Sequence, residues 1–129
     1  MHQATLLRRL TLATLCFLGA WALSASAVQA ETETWEIRSS YPYQVQLEFY
    51  SKDRNAVWPG GGRAYLLDDS KMHTFSLNCN PGERICYGAW QVGDDRVTWG
   101  IGPDRDKPCE DCCRTCLSTG SQDIVIDGE

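Results

Sequence analysis

The cysteines constrain this chain more than any other feature. Four of its seven cysteines lie in the segment CEDCCRTC, residues 109–116, which is called the cysteine-rich segment below. Two more, Cys79 and Cys86, lie on either side of a Pro-Gly pair. So dense a group of thiols is typical of a metal cage, a redox centre or an anchor for disulfides. The compartment helps to decide among these, because thiols oxidise mainly outside the reducing cytosol.

The N-terminus indicates export. Two arginines precede an apolar run at residues 10–23, and small residues follow as far as Ala30. A basic start, a short apolar run and a small-residue cleavage site form a secretory signal peptide. We predict a signal peptide over residues 1–30, with cleavage after Ala30 and Ala27 as the alternative. The apolar run is shorter than the about 20 residues that span a membrane, so no stable membrane anchor is expected.

The mature chain, residues 31–129, has the length of a single domain. Two of the 12 basic residues leave with the signal peptide, so 10 basic and 17 acidic residues give the mature chain a net charge of −7. Such a chain repels phosphate backbones, and no nucleic acid is expected as a partner. Six cysteines remain, and an even number in a short exported domain indicates disulfides. We expect the protein in the periplasm or outside the cell.

Alternating apolar and polar residues run through much of the mature chain. In YQVQLEFYS, the residues Val45, Leu47 and Phe49 share one face and Tyr50 lies on the other. This alternation predicts an antiparallel strand with one buried face. About seven to eight short strands separated by turn residues predict an all-β fold, a disulfide-stabilised antiparallel β-sandwich or small barrel.

Two segments have the pattern of hairpins. HTFSLNCNPGERICYGAW places Pro81 and Gly82 at the centre of a type II turn, and QVGDDRVTWGI turns near Gly93. In the first hairpin Cys79 and Cys86 are diagonal neighbours, roughly 7–8 Å apart, whereas disulfides prefer Cα atoms about 4.4–6.8 Å apart. We therefore expect one or both of these cysteines to bond to the cysteine-rich segment and to fix it onto the hairpin.

All six cysteines of the mature chain are predicted disulfide partners: Cys79, Cys86, Cys109, Cys112, Cys113 and Cys116. A bond between the adjacent Cys112 and Cys113 would be strained, so these two are expected to take different partners. A thiolate metal-binding or redox protein is the alternative. Little chain is present to turn two CxxC units toward one zinc ion. Glu110 and Asp111 disfavour the thiolate that a redox CxxC requires. We predict no metal and no cofactor.

No motif identifies a catalytic group. His73 is the one histidine of the mature chain, and the nearby Thr74 and Ser76 do not by themselves make a triad. A hydrolase that uses acidic residues, such as Glu48 with an aspartate, stays an alternative because carboxylates are abundant. Most aspartates lie in turns, where local hydrogen bonding favours them.

The aromatic residues are the most informative candidates for binding. Three tryptophans lie by strand parity on core faces: Trp35, Trp90 and Trp99. Tyr50 and Tyr87 fall on the faces opposite the core residues of their strands, and Trp58 lies beside a glycine-rich turn. Exposed rings stack on sugars or contact protein partners. We predict ligand-binding residues at Tyr50, Trp58 and Tyr87.

The strings FYSKDRNAVWPGGG, YLLDD, ICYGAW and WGIG, followed by CxxCCxxC, resemble small exported cysteine-containing bacterial proteins of uncharacterised function. The resemblance extends over most of the mature chain. It implies a common architecture, and neither an activity nor functional residues. Together these observations predict an exported, single-domain, non-enzymatic binding or interaction module whose ligand is a carbohydrate or a protein.

Overall fold

Nine short strands form two sheets in the computed structural model, which describes residues 24–27, 30–118 and 123–128. The strands are β1 (Glu31–Ser39), β2 (Val45–Ser51), β3 (Val57–Trp58), β4 (Tyr65–Leu67), β5 (His73–Cys79), β6 (Arg84–Gln91), β7 (Asp94–Gly100), β8 (Cys113–Thr115) and β9 (Asp123–Ile126). Most of the predicted signal peptide lies outside the described residues. Within them, no helix is long and apolar enough to cross a membrane.

The smaller sheet has the order β5-β1-β9 and the larger sheet has the order β3-β2-β6-β7. In the larger sheet β4 also pairs with β2, and β8 pairs with β6. The pairing of β1 with β9 is parallel, and the other strand pairs are antiparallel. The predicted all-β class with disulfides is confirmed.

One hydrophobic core joins the two sheets. From the larger sheet, Val45, Leu47 and Phe49 of β2 are fully buried, as the alternation in the sequence predicts. From the smaller sheet, Trp35 and Ile37 of β1 are fully buried in the same cluster. The Trp35 and Phe49 rings lie 5.2 Å apart between centroids, so aromatic packing connects the sheets at this point.

The predicted hairpin around Pro81 and Gly82 is wrong, although its turn is right. The Glu83 N–H donates to the Asn80 carbonyl at 3.0 Å and Gly82 has a φ of 79°, as a type II turn requires. The two flanking strands do not pair with each other, because β5 pairs with β1 and β6 pairs with β2. The turn therefore carries the chain from one sheet to the other.

The second predicted hairpin is confirmed. Strands β6 and β7 pair antiparallel, and Gln91 lies opposite Asp94 across a turn that contains Gly93 with a φ of 84°. The register shifts beside Trp90, which pairs with Thr98. The extra residues of β7 form a bulge, which bends this edge strand.

Strand β6 faces the core with the opposite parity to the prediction. Ile85 and Ala89 belong to the core between the sheets, whereas Cys86 lies in a second cluster. Trp90 is half-buried, and its Nε1–H donates to Gln46 Oε1 at 2.9 Å rather than packing into the core. Both faces of β6 carry apolar residues, so the alternation of residues alone does not show which face of this strand lies in the core.

The second cluster lies on the outer face of the larger sheet. Tyr50 and Cys86, which are register partners, pack there with Ile101 and Cys112. The loop after β7 approaches β6 so closely that a side chain at Gly88 would collide with the backbone of that loop. The larger sheet is consequently buried on part of both faces.

All six predicted disulfide residues form disulfides. The pairs are Cys79–Cys116, Cys86–Cys113 and Cys109–Cys112, with Cα separations of 6.1, 3.9 and 5.8 Å. The prediction that Cys112 and Cys113 take different partners is confirmed. Cys79 of the smaller sheet and Cys86 of the larger sheet both bond to the cysteine-rich segment. This segment therefore connects the two sheets covalently.

An ion pair supports the same connection. Arg114, between the two bonded cysteines, places Nη2 3.2 Å from the carboxylate of the buried Glu33 on β1. Its Nη1 donates to the Thr34 carbonyl at 2.9 Å, and its guanidinium lies 5.3 Å from the centre of the Trp35 ring. Glu33 also accepts the Leu117 N–H at 3.1 Å. The cysteine-rich segment thus binds β1 through charge as well as β5 and β6 through disulfides.

The disulfides close loops of different lengths, and loop length predicts how much each disulfide contributes to the free energy of unfolding. Cys79–Cys116 spans 37 residues and Cys109–Cys112 spans 3. Chain-entropy estimates assign about 4 kcal/mol to the long loop and about 2 kcal/mol to the short one. We expect the Cys79→Ala/Cys116→Ala variant to lose about twice as much unfolding free energy in urea as the Cys109→Ala/Cys112→Ala variant. Equal losses would contradict the account.

Candidate functional site

The three aromatic residues predicted to bind ligand do not form one surface. Tyr50 lies on the outer face, as its parity predicts, but it is only 2 % exposed. The loop after β7 covers it and places the Arg105 guanidinium 4.3 Å from the centre of its ring. Burial raises the pKa of the Tyr50 hydroxyl well above its usual range, because an apolar site disfavours the phenolate. The expectation that Tyr50 is exposed is wrong.

Tyr87 and Trp58 face the core instead. Both flank Phe49 in the register of the larger sheet, and both are half-buried against the core. The Tyr87 ring meets Trp35 edge to face at 6.3 Å, and burial raises the pKa of its hydroxyl. The expectation that Tyr87 lies on the face opposite the core is wrong. That Tyr50, Trp58 and Tyr87 bind a ligand stays a prediction without support from this arrangement.

Arg54 occupies the accessible side of Trp58. Its guanidinium lies 5.6 Å from the centre of the Trp58 ring, and its Nε donates to the buried Glu83 at 2.5 Å. Glu83 also accepts the Asn80 N–H at 2.7 Å. Burial raises the pKa of Glu83, but these hydrogen bonds and one from Ser51 outweigh it, so the pKa falls below its ordinary value. The Arg54–Glu83 ion pair therefore has a structural role: it joins the residues after β2 to the turn before β6.

The carboxyl groups and cysteines of the described residues bear on the alternatives of hydrolase and thiolate protein. Three carboxyl groups have shifted pKa values, those of Asp69, Glu83 and Asp94, and all three shift downward. A general acid of a glycosidase requires a raised pKa. All six cysteines of the mature chain are in disulfides. Nowhere in residues 30–118 or 123–128 do three His, Cys, Asp or Glu side chains converge to hold a metal ion.

A groove opens at the edge of the larger sheet, at the end opposite the disulfides. Its wall consists of β7 residues 96–99, Tyr41 from the β1–β2 loop, and Asp127 with Gly128 after β9. We call it the edge groove. Its volume is about 550 Å³, within the range of about 300–1,000 Å³ that small-molecule sites occupy. Three chain segments far apart in sequence build it.

Two aromatic rings dominate the edge groove and are held in fixed positions. Tyr41 and Trp99 meet edge to face with centroids 4.8 Å apart. The Tyr41 hydroxyl donates to Gln91 Oε1 at 2.8 Å, and the Trp99 Nε1–H donates to the Asp127 carbonyl at 2.8 Å. A Cβ at Gly128 would come within 3.2 Å of the Tyr41 ring, so the chain after β9 packs tightly against this ring. Both rings are half-buried and present apolar surface to the groove.

The polar groups of the groove complement these rings. Arg96 donates from Nε and Nη2 to the Asp94 carboxylate at 2.9 and 3.0 Å, and this pairing lowers the pKa of Asp94. Thr98 and Asp127 line the groove beside it. Of the seven residues that line the groove, two are aromatic and three are polar, and ligand sites combine aromatic walls with placed polar groups in this way.

The edge groove is not apparent from the sequence, because its walls come from segments that are far apart in the chain. Strand parity assigned Trp99 to the core, and the ring does pack against the core, but its other side lines the groove. The stretch SYPYQ gave the available signal, since it places Tyr41 and Tyr43 around a proline in a loop between two strands. Loops on a rigid scaffold carry binding residues disproportionately.

Comparison with known proteins finds no family model, no curated protein and no solved structure that matches this chain. The geometry of the described residues therefore carries the functional argument.

The pairing of Glu83 predicts a pH dependence of stability. Its folded pKa lies below the ordinary value of 4.5, so its contribution is complete above that value and is lost as the pH falls through the lowered folded pKa. We expect acid to reduce the unfolding free energy of the wild-type protein more than that of Glu83→Gln, measured in urea at neutral and acidic pH. Parallel pH profiles for the two proteins would show that the ion pair contributes nothing.

Proposed function

We propose that this protein is an exported, non-enzymatic binding module that holds a carbohydrate in the edge groove. The observation that carries the proposal is the pair of fixed rings, Tyr41 and Trp99, set into a groove of about 550 Å³ with polar groups beside them. The C–H faces of sugar rings pack on aromatic rings, and their hydroxyl groups need a few positioned donors and acceptors. The edge groove provides both kinds of group on a rigid scaffold.

A carbohydrate fits the observed surface better than a protein ligand. Protein interfaces use contiguous apolar patches that rise above the few hundred Å² typical of monomers. The exposed large hydrophobic residues are Tyr43, Leu66, Met72, Val92, Leu117 and Val125, and none of them lines the edge groove. A concave site with two held rings instead matches a small, partly polar ligand.

Export is supported by the disulfides and by the predicted signal peptide. Three disulfides form and persist in an oxidising compartment. The first strand begins at Glu31, the residue that follows the predicted cleavage point. The proposed module is thus the mature domain, released into the periplasm or the medium, and it requires no cofactor.

The proposal predicts that one tryptophan matters for binding and another does not. Trp99 lines the edge groove, whereas Trp90 is half-buried on the outer face of the same sheet and serves as a matched control. We expect Trp99→Phe to weaken oligosaccharide binding about tenfold, corresponding to about 1.4 kcal/mol. Trp90→Phe should leave binding unchanged. A glycan array followed by calorimetric titration of the retained sugars measures both, with thermal unfolding as the check of folding.

The contrary outcomes are equally specific. Failure to retain any carbohydrate, or retention that Trp99→Phe does not change, would overturn the proposal. Shortened sugar chains in the titrated solution would show that the protein is a hydrolase. Retention of a protein ligand in place of sugars would assign the module to protein recognition.

A further inference from the structure

Tyr41 forms a wall shared by two cavities. One is the edge groove. The other, which we call the loop cavity, has a volume of about 220 Å³ and lies on the side of the β1–β2 loop, between residues 39–44 and residues 67–70. A single aromatic side chain therefore separates two adjacent concave sites, and a ligand longer than one ring can occupy both by crossing it.

A line of aromatic rings connects the two cavities. The Tyr41 ring lies 5.6 Å from the Tyr43 ring on one side and 4.8 Å from the Trp99 ring on the other, between centroids. Tyr43 lines the loop cavity and is 61 % exposed, the highest value among the large hydrophobic residues. An exposed ring beside a fixed one offers a second stacking position.

Negative charge surrounds this aromatic line. Asp68 and Asp69 line the loop cavity, and Asp127 lines the edge groove. A hydrogen bond with His73 at 2.7 Å lowers the pKa of Asp69. The one arginine in the edge groove, Arg96, is already paired with Asp94. The carboxylates that line the two cavities attract cations and repel anions, and Lys71 and His73 beside Asp69 offset part of this charge in the loop cavity.

From this arrangement we infer that the ligand is a linear oligosaccharide of amino or neutral sugars that lies across Tyr41, with one ring in each cavity. The inference rests on the proposed function and names the ligand class of the same site. Uronic acid chains are disfavoured, because their carboxylates would face Asp69 and Asp127. A glucosamine chain is favoured, because its ammonium groups would face them.

The test is a calorimetric titration of the disulfide-bonded protein with glucosamine oligomers of one, two and four units, with their N-acetylated counterparts, and with galacturonic acid oligomers. We expect affinity to rise at least tenfold from the monomer to the dimer, because the dimer fills both cavities. We expect glucosamine chains to bind more tightly than N-acetylated chains, and galacturonic acid chains to bind least. Added salt should weaken the binding of glucosamine chains most.

Variants on the loop cavity separate the two positions. Tyr43→Ala should weaken binding of the tetramer about tenfold and leave the monomer nearly unchanged, while Leu66→Ala, at another exposed hydrophobic position, should change neither. Asp69→Asn should reduce the preference for glucosamine over N-acetylglucosamine. These exposed positions allow substitution without loss of the core.

Each contrary result has a distinct meaning. Equal affinity for monomer and tetramer, with no effect of Tyr43→Ala, would overturn the two-cavity inference while binding that depends on Trp99 would still support the proposed function. Tighter binding of galacturonic acid chains than of glucosamine chains would overturn the inference that the two cavities favour a cationic ligand. No binding of any sugar would overturn the inference and the proposed function together.

Discussion

The covalent connection between the two sheets is the constraint on which the rest of this structure depends. Cys79 ends β5, an edge strand of the smaller sheet, Cys86 is the third residue of β6 in the larger sheet, and both bond to the cysteine-rich segment. Arg114 lies between the two bonds and reaches the buried Glu33 on β1. A small domain buries a modest core, and such domains commonly rely on disulfides for stability. The dense cysteines are explained by the need to reach both sheets from one short strand.

The edge groove lies away from this connection. The disulfides hold the beginning of β6, and the edge groove lies beside its end, five residues and about 16 Å further along the strand. At that end the sheets are joined by hydrogen bonds and ring contacts around Tyr41 rather than by sulfur. One end of the fold is thus closed and the other presents aromatic rings, a loop and negative charge to solvent. Tyr41 and Trp99 are positioned there by hydrogen bonds to Gln91 and to the Asp127 carbonyl and by their contact with each other.

The local sequence pattern predicted the strands and turns of this fold well, and it predicted less well which strands pair with each other. The alternation in β2 identified its buried face, and Pro81 with Gly82 predicted a type II turn that is present. The same turn chemistry cannot tell whether its strands pair, and here they enter different sheets. Tyr50 has the predicted parity but is buried, because a loop about 55 residues later in the chain covers it. Likewise, the edge groove depends on Tyr41, Trp99 and Asp127 meeting in space, which no local pattern contains.

Disulfide mapping of the exported protein tests the central claim most directly. A non-reduced digest would be analysed by tandem mass spectrometry, with fragmentation between the adjacent Cys112 and Cys113 to assign their partners. The account predicts the bonds Cys79–Cys116 and Cys86–Cys113, with Cys109 bonded to Cys112 and no free thiol. A Cys79–Cys86 bond, or free thiols in the cysteine-rich segment, would mean that this segment does not join the two sheets.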